Sequence, residues 1–169
     1  MEIILVDGYN VIHAWPEPAA RLRESLEAAR EELVARLLPL AHLGEAELLV
    51  VFDAGSTGNP AVSVEERGGL RVLYSRRGQS ADSLIEELSG RLAPSFRVTV
   101  VTADRPQGDL AFFHGASVIG PAGLRDRAAA ALRELEERRG ELERGSAGSR
   151  LEDRVPEEVR RLLDAMRFL

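Results

Sequence analysis

Four aspartates hold most of the chemistry open to this chain: Asp7, Asp53, Asp82 and Asp104. Asp7 ends the run Ile3-Ile4-Leu5-Val6, and Asp53 ends Glu47-Leu48-Leu49-Val50-Val51-Phe52. Apolar runs without alternation are the pattern of parallel strands covered by helices on both faces. Asp104 follows a further strand pattern, Arg97 to Thr102, after one alanine, and Asp82 falls in the first turn of a helix that Ser80 can cap. In an open parallel sheet such strand ends share one edge, and ligands bind there where the strand order reverses. Each aspartate taken singly reads as an ordinary helix cap or loop residue. Four on one edge repel and raise each other's pKa values, which a divalent cation relieves most simply. The chain has no cysteine, and its histidines, His13, His42 and His114, are scattered. A metal here is therefore held by oxygen, which points to Mg²⁺ or Mn²⁺. One or two such ions would activate a water and stabilise the leaving oxygen in phosphodiester hydrolysis. Asn10, in the polar loop expected after the first strand, adds a neutral oxygen ligand or a phosphate hydrogen bond, or it caps its own loop.

The elements that must present these side chains follow in order. Trp15-Pro16-Glu17-Pro18 breaks regularity, and a helix is expected from Ser25 with Leu26, Ala29, Leu33, Leu37 and Leu40 on one face, kinked or ended by Pro39. Val62 to Glu66 reads as a short strand, Gly68-Gly69 as a turn, and Leu70 to Ser75 as a core strand. A short strand over Ala116 to Ile119 precedes a long charged helix from Gly120-Pro121 to Arg144. Residues 145–154, opening with Gly145-Ser146-Ala147-Gly148-Ser149, read as a flexible linker, and 155–169 as an amphipathic helix whose Val159, Leu162, Leu163 and Met166 can dock on the domain or on a partner. The order β-α-β-(β)-β-α-β-α-β-α predicts a doubly wound α/β domain over residues 1–144.

Composition excludes several alternatives. At 44% hydrophobic and 30% charged residues the chain fits a soluble globular class, and its apolar runs are too short to cross a bilayer. Glu2 stands where a signal peptide would be basic, so no membrane partner and a cytoplasmic location are expected. All 22 basic residues are arginine, and without lysine there is no phosphate-cradling P-loop. Receiver domains and haloacid-dehalogenase-like phosphatases also use a lysine, and Tyr9 occupies the second aspartate position of the phosphatase motif. Gly8 alone does not make a dinucleotide-binding fingerprint. The net charge of -6 means that a nucleic acid would have to be met by a local patch. Arg67, Arg71, Arg76 and Arg77, with Glu65 and Glu66 as counter-charges, form such a patch or a solvated edge. Tyr9 and Trp15 either stack on bases near the metal or pack inside.

Val6-Asp7-Gly8-Tyr9-Asn10-Val11-Ile12, with Val51-Phe52-Asp53, Ser80-Ala81-Asp82 and Thr102-Ala103-Asp104, resembles the NYN-domain family, relatives of PIN-domain nucleases, and within it the YacP-like bacterial branch. The resemblance implies a PIN-like three-layer α/β fold with a central, mostly parallel sheet flanked by helices, and Mg²⁺- or Mn²⁺-dependent endoribonuclease activity. It also implies that Asp7 and Asp82 carry catalysis, with Asp53 and Asp104 completing the metal site. Arg30 matches a basic helix position of the branch. RNA, in particular mRNA on translating ribosomes, is the implied partner. The competing reading is a non-catalytic RNA- or ribosome-binding module of the same fold, and a third is a small-molecule phosphohydrolase on the same metal edge.

Overall fold

The structure, a computed structural model, describes residues 1–144 and 156–167. Its sheet contains β1 (Glu2–Asp7), β2 (Ala46–Phe52), β3 (Ser63–Arg67), β4 (Leu70–Tyr74), β5 (Arg97–Val101) and β6 (Ser117–Ile119). Their order is β3-β4-β2-β1-β5-β6. All neighbours are parallel except β3, which pairs antiparallel with β4 at one edge. The chain moves outward from β1 to β2 on one side and later returns past β1 to β5. The carboxyl end of β1 is therefore the switch point of the sheet, the place where such folds open a crevice.

The unalternating strands are explained by two covered faces. Ile4, Val6, Leu48, Val50 and Phe52 face one core, and Ile3, Leu5, Leu49 and Val51 face the other. On the first face lie α1 (Gly8–Ala14), α2 (Pro16–Arg21), α3 (Leu26–His42) and α6 (Pro121–Arg144), which supply Val11, Ile12, Leu33, Leu37 and Leu124. On the second lie α4 (Ala81–Leu92), α5 (Arg105–Phe113) and α7 (Glu157–Arg167). Val159, Leu163 and Met166 of α7 are buried against that second core, with Leu162 partly buried beside them. The helix thus docks on the domain, and Arg167 also donates to the Val64 carbonyl at 3.1 Å. The linker expected over 145–154 lies outside the described residues.

Three local expectations are corrected or narrowed. No polar loop follows β1: Asp7 accepts from the Asn10 amide at 3.3 Å and caps α1, so the helix starts at Gly8. Trp15, extended in backbone, does break regularity by ending α1, but Pro16 then starts α2 at once, because proline at the first helical position loses no hydrogen bond. Pro39 does not end α3, which continues to His42.

Candidate active site

The crevice is assembled from capped helix starts. Asp7 closes β1 and caps α1. Ser80 caps α4 by accepting from the Ser83 amide at 3.1 Å, which sets Asp82 in the first turn. Asp104 caps α5 by accepting from the Gln107 amide at 3.1 Å. Asp53 follows β2 and folds back on its own loop, accepting from the Gly55 amide at 2.6 Å. All four aspartates therefore stand at the carboxyl edge of the sheet, but they are not equivalent.

Asp7 and Asp82 form the close pair, with their carboxyls within hydrogen-bonding reach. Asp7 is only 7% exposed. Burial pushes its carboxyl up to about 6, the Asn10 amide and Gln107 pull it down, and the charges of Asp82 and Asp104 push it up again. Asp82 is also raised, first by burial and then by Asp104, with a contribution from Asp53. Asp104 thus acts on both carboxyls and Asp53 on Asp82 through their charge, while Asp104 Oδ1 caps α5 and Asp53 Oδ1 takes the Gly55 amide. Among the described residues no three acidic or histidine side chains converge to hold an ion. The four carboxylates expected from the sequence thus stand on one edge as a coupled pair, Asp7 and Asp82, with Asp104 and Asp53 adding their charge.

That pair suits a hard divalent cation: its donors are oxygens only, and the burial of Asp7 raises the cost of leaving its charge unneutralised beside Asp82. Gln107, which the sequence reading did not single out, belongs to the same group. Its Nε2 donates to Asp82 Oδ1 at 2.9 Å, and its Oε1 is buried without a hydrogen-bond partner. The local signal was an Asp-x-x-Gln start to α5. In a capping box that glutamine would reach back to the amide of the cap residue. Here Thr102 Oγ1 takes the Asp104 amide at 3.0 Å, which leaves the Gln107 side chain to cross to α4. A cavity of about 310 Å³, lined by Ser80, Asp82, Glu86, Asp104, Gln107 and Leu110 among others, opens beside it.

Asn10 holds the edge together. Its Oδ1 accepts from the Ala103 amide at 2.8 Å, so its oxygen ties the turn after β5 to α1 instead of facing a metal. Gly8 is forced by the ring of Phe52: an added Cβ would lie 2.2 Å from its Cε1. Tyr9 then stands 5.0 Å from that ring, and its hydroxyl accepts from Arg30 Nε at 3.0 Å. The Arg30 guanidinium lies 5.3–5.4 Å from the ring centres of Tyr9, Phe52 and Tyr74. It forms no salt bridge among the described residues. Arg30 lines a cavity of about 130 Å³ with Phe52, Tyr74, Arg67, Glu27 and Glu31 among others.

The other proposed contacts are placed differently. Trp15 is 3% exposed, and its Nε1 donates to the Pro121 carbonyl at 2.9 Å, so its ring packs and offers no face for a base. The arginine patch has more counter-charges than Glu65 and Glu66. Arg67 also meets Glu31, the buried Arg71 pairs with Glu47 and Glu66, and Arg76 pairs with Glu87. Arg77, at the surface, donates to the Gly58 carbonyl at 3.0 Å.

Residues 4–168 match the YacP-like NYN domain family. The chain is 30% identical over 146 residues to "Uncharacterized protein YacP" of Bacillus subtilis (strain 168), covering 85% of this chain and 81% of that one. Two crystal structures of Rae1 (YacP) from Bacillus subtilis share its fold. A point-mutant form superposes with a TM-score of 0.74 at 26% identity, covering 98% of this chain and 99% of the other, and a second structure with 0.70 at 27%, covering 84% and 82%. With its mostly parallel sheet, its aspartate-lined edge and a match along nearly its whole length, the chain belongs to the YacP-like NYN domain family, a family of PIN-like nucleases.

Proposed function

We propose that this protein is a Mg²⁺- or Mn²⁺-dependent endoribonuclease with Asp7 and Asp82 as its catalytic carboxylates. The observation that carries the reading is the buried Asp7 carboxyl coupled to the exposed Asp82 at the switch point of the sheet, in the added fields of Asp53 and Asp104. A buried carboxylate held beside a second, like-charged one is costly to maintain, and a hydrolytic site for a polyanion gives them a use. A divalent cation, when bound, supplies charge neutralisation and acidifies water. Asp7 and Asp82 would hold it, Asp104 and Asp53 add to the negative potential that attracts it, and Asn10 keeps the β5–α5 turn against α1. Arg30, braced by Tyr9 and the rings beneath it, is the cation best placed for RNA on the α3 side. Arginine contacts phosphate bidentately and stacks on bases. Arg77 is a second, exposed contact, and Arg76 would engage RNA at the expense of its pair with Glu87.

An overall acidic chain gains little from non-specific attraction to RNA. We infer that the substrate is mRNA presented on the translating ribosome, where positioning replaces intrinsic affinity. The test is cleavage of an mRNA, naked and under translation, by the wild type and Asp82→Asn in parallel. Mg²⁺-dependent cleavage by the wild type alone is expected, and cleavage restricted to translated mRNA would support the ribosomal substrate. Equal activity of Asp82→Asn would overturn the assignment of the site. RNA or ribosome binding without cleavage, unaffected by EDTA and by Asp82→Asn, would favour the non-catalytic binding module.

A further inference from the structure

We propose that Gln107 is the third oxygen donor of the site, its side-chain amide turning over when a divalent cation binds so that Oε1 joins Asp7 and Asp82 around the ion. The proposal rests on the metal-dependent reading above. Gln107 is 6% exposed, and its Nε2 points at the carboxylate pair, 2.9 Å from Asp82 Oδ1. Its Oε1 is buried and unpartnered. An unsatisfied buried carbonyl is costly, and such exceptions accompany strain, catalysis or an ion. Among the described residues no three acidic or histidine side chains are grouped to hold an ion, and Gln107 brings a neutral oxygen to the pair's side.

Charge decides which end of the amide faces the pair. Beside two carboxylates the NH₂ group is favoured, because carboxylates accept and an amide carbonyl would repel them. Beside a divalent cation the preference reverses: the NH₂ is repelled and the carbonyl oxygen becomes a ligand of the kind hard cations take. The last torsion of glutamine is broad and roughly two-fold, so the exchange needs no backbone movement. The backbone of Gln107 stays anchored through its amide to Asp104 Oδ1.

The test uses the full chain and Mn²⁺ or Mg²⁺ alone. Mn²⁺ affinity is measured by titration for the wild type, Gln107→Met and Asp82→Asn, with metal-free thermal unfolding as the control for folding. Gln107→Met is expected to weaken Mn²⁺ binding at least about tenfold, the scale of losses around metal sites. If the amide only damps repulsion within the pair, it competes with the ion, and Gln107→Met will bind Mn²⁺ as tightly as the wild type or more tightly. That outcome overturns the proposal. Should Gln107→Met fail to fold, glutamine-labelled wild type decides. Gln79 and Gln107 are the only glutamines, so the side-chain carbonyl and amide signals of Gln107 are expected to shift on adding Mg²⁺ while those of Gln79 stay. An unmoved Gln107 carbonyl overturns the assignment. Failure of the wild type to bind either ion at millimolar concentration removes the metal-dependent reading itself, whereas loss of binding in Asp82→Asn with retention in Gln107→Met removes Gln107 alone.

Discussion

Replacing Asp7 by asparagine is expected to stabilise the metal-free protein while it abolishes cleavage. Burial lifts the Asp7 carboxyl from its ordinary 3.8 to about 6, so the folded state holds this proton more tightly than the unfolded chain does. Its contribution to stability is therefore present in full below about pH 3.8 and lost as the pH rises through about 6. At about 1.4 kcal/mol per tenfold change in proton affinity, the loss approaches ~3 kcal/mol above neutrality. Asparagine removes the charge and still accepts at the helix cap, since the two residues are nearly equivalent there. The gap between Asp7→Asn and wild type should be below about 1 kcal/mol near pH 4 and about 3 kcal/mol at pH 7.5. For a chain of this size that is a rise in Tm of roughly 6–12 °C. Urea unfolding in EDTA at both pH values measures it. Comparing the two proteins cancels groups of opposite sign, such as Glu17, which Arg125 holds down at about 2. A variant no more stable than wild type at pH 7.5, or a gap equal at both pH values, would refute the reasoning.

Mg²⁺ or Mn²⁺ at one hundred times its dissociation constant should add about 2.7 kcal/mol to the wild type and raise its melting temperature. Asp7→Asn should gain far less, which differential scanning calorimetry with and without the ion would show. Gly8→Ala must displace the Phe52 ring, which lies 2.2 Å from the added carbon; a loss of about 1–3 kcal/mol in denaturant titration is expected. Arg30→Met keeps much of the packing over Tyr9, Phe52 and Tyr74 but removes the cation, so it should lower RNA cleavage mainly through KM and leave the urea midpoint little changed. A fall in kcat alone would place Arg30 outside substrate binding.

Much of the fold lies in patterns that a few neighbouring residues carry. Ile3 to Val6 and Leu48 to Phe52 are apolar on both faces because both faces are covered, and that fact is written in the run itself. Ser80 and Asp104 are caps whose partners lie three residues away, so the starts of α4 and α5 and the aspartates beside them were legible. Side-chain use across the fold was not. Asn10 is a local amide until Ala103 arrives from another strand to occupy its oxygen. Trp15 shows no preferred side until Pro121 accepts its indole, and Arg76 looks free until α4 brings Glu87.

The sequence by itself determined that aspartates end or follow successive strands, that no lysine, cysteine or histidine cluster competes with them for chemistry, and that helices cover the sheet between them. Tertiary structure decided that β1 lies between β2 and β5, and hence which carboxylates meet. Asp7, buried, meets the exposed Asp82; Asp104 caps α5 and Asp53 turns on its own loop while both act through their charge, and Gln107 is turned toward the pair instead of its own helix start. The physical reason is range. Hydrophobic periodicity and capping are satisfied within a turn or a strand, whereas the position of a side chain relative to a charge on another element depends on strand order and register. Those are set by packing of the whole core.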